Sequence, residues 1–264
     1  MINKLKKNKL YLIIAIIVLL IILYFGYKGL MLYKYTYKKP DTVEDVVKGL
    51  KNYNTIKITK KNLNDNEYIT KKNFKMKNIM DGYTLDETTS SGGIDVYRKE
   101  IDGQRYAIQF GPDEAYYQLV SAFVEDDITL FGEDNGGFLK GSINDADRKG
   151  FLEKNNIKND IDFYKFVADN YYIENNIFTD TKTMKQNYAF NIFTAIAVPQ
   201  IKGWTILEGD ITGYIMYVGT KDEVSVYEIT ILDNDKRYGI LTNDPRFSNQ
   251  SFMEEIISTI EIVK

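Results

Sequence analysis

The chain of 264 residues carries 34 basic and 37 acidic side chains, a net charge of −3, and 44% hydrophobic residues. That is an ordinary balance for a folded domain, without the basic excess of a nucleic-acid binder. It has no cysteine and no histidine, which excludes disulfides, thiolate nucleophiles, lipid-modified cysteines, Ser-His-Asp and Cys-His triads, and H-E-x-x-H zinc hydrolases. Any catalysis would rest on Asp, Glu, Lys, Tyr, Ser or Thr.

Residues 1–9 form a short basic tail with Lys4, Lys6, Lys7 and Lys9. Leu10 to Tyr27 follows as eighteen residues without a charge. At about 1.5 Å of rise per residue it reaches roughly 27 Å, close to the ~30 Å hydrocarbon core of a bilayer. A cleavable signal peptide needs a shorter apolar run and a small-x-small site; the bulky Tyr24, Phe25, Tyr27, Leu30, Met31 and Leu32 fit an uncleaved signal anchor over 10–33 instead. Tyr11, Tyr24, Tyr27 and Tyr33 suit the headgroup interfaces, and Lys28 is expected to snorkel outward along its methylene stem. Lys28, Lys34, Lys38 and Lys39 follow the run, so the lysines nearly balance. The tighter packing of charge in the N-terminal flank favours the N-terminus inside and the domain outside.

Residues 34–40 read as a basic-aromatic juxtamembrane connector, and 41–264 as an extracytoplasmic domain. Thr42 with Asp45 resembles a capping box ahead of a helix whose stripe is Val43, Val46, Val47 and Leu50. Strands are predicted at Thr55–Lys60 and around Phe74 and Met76. In Ile94–Phe110, Asp102-Gly103 separates two alternating runs, the strongest short hairpin signal. Pro112 and Asp113 open a predicted helix to Val124, with Tyr116, Leu119, Val120 and Phe123 on one side. The passage from Glu125 to Gly141 is loop-rich and acidic.

Helices are predicted at Asp145–Glu153, at Ile161–Tyr172 with Asp160 as N-cap, and at Thr181–Val198 capped by Asp180 and stopped near Pro199. The last has a stripe of Met184, Tyr188, Ile192, Ala195 and Ile196. Strands follow at Trp204–Leu207, Ile211–Val218, Val224–Leu232 and Arg237–Thr242, then a helix at Ser251–Thr259 and a short strand at Ile260–Val263. The hairpins Val96–Ile108 and Val226–Ile240 share V-Y, a central Asp turn and R-Y-x-I, the second being two residues longer. Two related halves, about 41–141 and 142–264, or a chance likeness both accommodate this.

Three features invite chemistry. The acidic Glu125–Asp134 passage suits Ca²⁺ by composition but lacks a D-x-D-x-D-G loop with a terminal Glu. Asp145-x-Asp147 places Lys149 where a ligand belongs, and Asp233-Asn234-Asp235 sits in a turn, where these residues serve without a metal. Acidic pairs for glycoside hydrolysis cannot be placed from sequence. Tyrosines with Trp204 would make a stacking platform for sugars, or else sheet-face packing.

The expected fold class is α+β, a single N-terminal transmembrane helix followed by antiparallel β-hairpins with packed helices on one face. The expected function is a membrane-anchored, extracytoplasmic, non-catalytic binding or assembly module; the alternative is a carboxylate-dependent envelope hydrolase. The expected partners are the bilayer, through 10–33, and a protein at the envelope, with no nucleic acid. No residue stands out as catalytic, cofactor-binding or metal-ligating, and no cofactor is expected. Heavy use of Lys, Asn, Ile and Tyr reads as the coding bias of an AT-rich bacterial genome.

Overall fold

The computed structural model describes residues 2–36, 41, 43–90, 94–111, 123–124, 145–198, 201–220, 223–233 and 236–263. Six helices and eleven strands are described. The helices are α1 Ile2–Lys34, α2 Val43–Lys51, α3 Asp145–Lys154, α4 Asp160–Asn170, α5 Thr181–Ala197 and α6 Gln250–Ser258. The strands up to the middle of the chain are β1 Tyr53–Ile58, β2 Tyr68–Lys71, β3 Phe74–Lys77, β4 Thr84–Leu85, β5 Asp95–Ile101 and β6 Gln104–Gly111. The rest are β7 Ile201–Gly209, β8 Thr212–Thr220, β9 Glu223–Asp233, β10 Lys236–Thr242 and β11 Glu261–Ile262.

Eight strands make one sheet in the order β1-β7-β8-β9-β10-β6-β5-β4, and β11-β3-β2 make a second. Every pair is antiparallel except β1 with β7, which run parallel. The sheet is therefore mixed, correcting the expectation of a wholly antiparallel one. A strand that follows α2 directly has no hairpin partner to fold back on, so β1 joins β7 across about 150 residues of sequence.

Alternation along the strands divides the core. Trp204, Ile206, Tyr214 and Met216 face one side, where Leu50 of α2, Phe151 of α3, Phe163 of α4 and Phe190 of α5 cover them. Leu207, Ile215, Ile229, Ile231, Tyr238 and Ile240 face the other, under Phe74 and Met76 of the small sheet and Met253, Ile256 and Ile257 of α6. Helices thus cover both faces rather than one, because α6 and the small sheet supply a second apolar layer.

Local sequence explains most element ends. Asp102 and Gly103 both have positive φ, 51° and 78°, the geometry of the turn that matches strand twist. Asn249 caps α6 by accepting from Phe252 N at 3.1 Å, and Asp180 caps α5 by accepting from Thr183 N at 2.9 Å. The predicted cap of α4 is displaced by one residue: Asn159 accepts from Asp162 N at 2.9 Å, which leaves Asp160 inside the helix. Gly49 lets α2 lie against β7, since a Cβ there would sit 1.5 Å from the carbonyl oxygen of Ile201. Trp204 is buried, and its indole donates to the carbonyl of Leu50 at 2.7 Å. Of the helix predicted from Pro112, only Phe123 and Val124 lie among the described residues, and both are helical.

Candidate functional site: a clamped helix, a sealed charge cluster and a polar cleft

α1 holds 33 residues, about 50 Å at helical rise. It is the one described helix long and apolar enough to cross a membrane, and its side chains from Ile13 to Leu23 stand exposed. The C-terminal turns behave differently. Lys28 is buried, and its ammonium donates to the carbonyl of Thr179 at 2.5 Å. Tyr35, just beyond the helix, is buried edge-on against Tyr188 of α5, and its carbonyl accepts from the amide of Asn175 at 3.0 Å. Asn175 also donates to the carbonyl of Met184 and accepts from Asn187. This corrects the outward snorkel expected of Lys28: the chain itself offers the ammonium an acceptor, so the stem folds against the domain. Among the described residues, the end of the helix and Tyr35 pack on the domain, while 37–40 of the expected connector lie outside the described residues.

A cluster of buried charges lies between α4 and the sheet. Arg237 of β10 donates to Asp160 of α4 at 3.2 Å and to Glu228 of β9 at 2.8 Å. Tyr214 of β8 donates its hydroxyl to the same Asp160 oxygen at 3.2 Å. The guanidinium sits over the Tyr214 ring at 5.6 Å, and Tyr164 packs edge-on against that ring. Burial alone would lower the Arg237 pKa, but Tyr214, Asp160 and Glu228 reverse the effect and hold it above its ordinary value. Burial likewise raises the phenols of Tyr164 and Tyr214, which stay neutral. Two carboxylates converge here, yet both are bound to one arginine that is almost wholly enclosed. The arrangement ties α4 to the sheet, as a paired buried charge does.

An open cleft of about 310 Å³ lies at the β1 edge of the sheet, where β1 meets β7 and β8. Asn52, Tyr53, Asn54, Gly203, Trp204, Thr205, Tyr217 and Gln250 line it, with no charged side chain among them. Thr205 donates to Asn54 at 2.6 Å, which makes the Tyr217 hydroxyl, 2.7 Å away, the donor to Thr205. Burial raises the Tyr217 phenol, so it remains a neutral donor. Beside the cleft β1 is an edge strand. The carbonyls of Asn52 and Ile58 accept from β7 and its exit, from Trp204 N and Asp210 N. By alternation the backbone groups of Tyr53, Thr55 and Lys57 point away from the sheet. A second groove, of about 600 Å³, is lined by Lys60, Asp210, Asp233 and Glu261, with Lys60 and Glu261 paired at 3.4 Å.

The described acidic residues weighed as metal ligands are dispersed. Asp145 and Asp147 lie in the first turn of α3, Asp233 ends β9, and the Glu125–Asp134 passage lies outside the described residues. Among the described residues no group of three acidic side chains is placed to hold a metal. Trp204 lines the cleft but is itself buried, so its ring offers no open stacking face. Sequence reasoning missed the clamp at Lys28 and Thr179, a contact 151 residues apart that local patterns do not encode. No family model matches the chain, and no curated protein or solved structure matches it.

Proposed function

We propose that the chain is a binding module held at a bacterial cell membrane by α1, with its N-terminus inside and its domain outside, seated directly on the bilayer. The observation that carries this reading is the clamp: apolar side chains of α1 stand exposed up to the point where Lys28 and Tyr35 enter the domain. A soluble protein rarely presents so large a contiguous apolar surface, and a bilayer accounts for it.

The polar cleft beside β1 is the surface we assign to the ligand. Amides and hydroxyls at fixed positions, next to open backbone groups of an edge strand, suit an extended segment of a partner protein that adds to the sheet. The convergent carboxylates, by contrast, are committed to Arg237, which leaves the hydrolase alternative without a specific observation in its favour.

Alkaline carbonate washing of membranes, followed by protease treatment of intact cells, tests the anchor and the orientation. Retention in the membrane with digestion of the domain is expected; release by carbonate would sink the anchor, and a protected domain would reverse the orientation. A photo-reactive residue at Asn54 is expected to form a protein adduct on cells, and its absence would count against the cleft.

A further inference from the structure

We propose that the turn 176–179 is a second membrane contact, a wedge whose Phe178 side chain enters the bilayer surface beside α1. The proposal rests on the reading of α1 as a membrane span.

Phe178 is 82% exposed, and no other described large apolar side chain outside α1 is as open. The turn that presents it is closed by its own hydrogen bonds. The Asn176 side chain accepts from Phe178 N at 2.9 Å, Asn176 N donates to the Thr179 hydroxyl at 3.1 Å, and Thr179 N returns to the Asn176 carbonyl at 3.0 Å. Asp180 then caps α5, its carboxyl held below the usual range by the bonds from Thr183. An aromatic ring is thus held in the open by a tied turn.

Its height relative to the bilayer is set by the clamp. Thr179, the next residue, accepts from Lys28, the first charge after the apolar run, and Tyr27 beside it is exposed. Seven residues further along the chain, just past the end of α1, Tyr35 meets Tyr188 of α5. α5 therefore rises away from the run roughly alongside α1, and the 176–179 turn is the end of that helix nearest the apolar span. A ring at that level joins Tyr24 and Tyr27 in the interfacial zone, where aromatic side chains concentrate.

The test uses the full chain, whose lack of cysteine makes every introduced thiol unique. Ile17→Cys, Phe178→Cys and Lys202→Cys are each labelled with an environment-sensitive fluorophore. They are then reconstituted in phosphatidylcholine–phosphatidylglycerol vesicles, with and without lipid bearing a nitroxide near the headgroup. Position 202 follows the far end of α5, a helix about 25 Å long by helical rise. The label at 178 is expected to shift to the blue, to be quenched by the nitroxide lipid and to lose most of its quenching by aqueous iodide. The label at 202 is expected to do none of these. A 178 label that is open to iodide, or shielded from iodide yet untouched by nitroxide lipid, would overturn the wedge while a lipid-quenched Ile17→Cys label upholds the span. If the label at 17 also escapes the lipid quencher, the span reading falls and the wedge falls with it.

Discussion

The hairpins β5–β6 and β9–β10 place the same short sequence in opposite surroundings. Ile101 pairs with Gln104 and Tyr97 with Ile108; Asp233 pairs with Lys236 and Ile229 with Ile240. Arg105, Tyr106 and Ile108 therefore occupy the same places in the first hairpin as Arg237, Tyr238 and Ile240 in the second. The shared V-Y does not survive this register, because Tyr97 falls opposite Ile229 rather than Tyr227. Where β6 meets β10, Ile240 pairs with Phe110 and Ile108 with Thr242, so the two hairpins are related by a local two-fold through Gln109 and Leu241. Ile108 and Ile240 are both fully buried toward α6 and the small sheet. The arginines point to the other face and part company. Arg105 is 78% exposed, with Glu100 at 3.8 Å, whereas Arg237 is 5% exposed and bound to Asp160 and Glu228. Strand pattern decides which face a residue takes; place in the sheet decides what that face meets.

The largest way to break the symmetry is Arg237→Ala. Removing the guanidinium leaves Asp160 and Glu228 without their shared cation in the interior, a loss on the order of 3–5 kcal/mol. Urea unfolding of the detergent-solubilised chain, followed by the buried Trp204, measures it. Adding Asp160→Asn is expected to recover part of the loss, since one uncompensated charge is then gone. A loss under about 1 kcal/mol would show that water reaches the cluster.

Ile108→Ala and Ile240→Ala test the half of the comparison where the surroundings agree. Both side chains are completely enclosed, so each truncation should cost about 2–5 kcal/mol, and the two should fall within about 1 kcal/mol of one another. A wide gap would mean that the layer over β6 collapses around a cavity more easily than the layer over β10.

The same division explains how far the sequence could be read. Period-two and period-3.6 patterns, together with the caps, located α3, α4, α5, α6 and the two long hairpins to within a few residues. Those signals are local. The parallel pairing of β1 with β7 and the enclosure of Lys28 depend on partners far along the chain, and no window of sequence contains both halves of such a contact. The cleft is of this kind, since Asn54 and Thr205 meet only once β1 has joined β7. Arg237 follows its hairpin turn just as the exposed Arg105 follows its own, and nothing local to the sequence tells the buried one from the open one. Asp160 read as a cap, because Asn159 and Asp160 are both good capping residues and only the fold chooses between them.

Arg105→Ala is the smallest expected effect and the most discriminating. The side chain is open to water and its ion pair with Glu100 is long, so screening leaves a change within about 0.5 kcal/mol, insensitive to salt. If arginine at this place served the hairpin itself, for example by setting its register, Arg105→Ala and Arg237→Ala would cost alike, because the register is the same in both. A near-zero effect beside a loss of several kcal/mol at Arg237 would instead place the whole value of that arginine in the contact with α4, a partner that the β6 arginine does not meet.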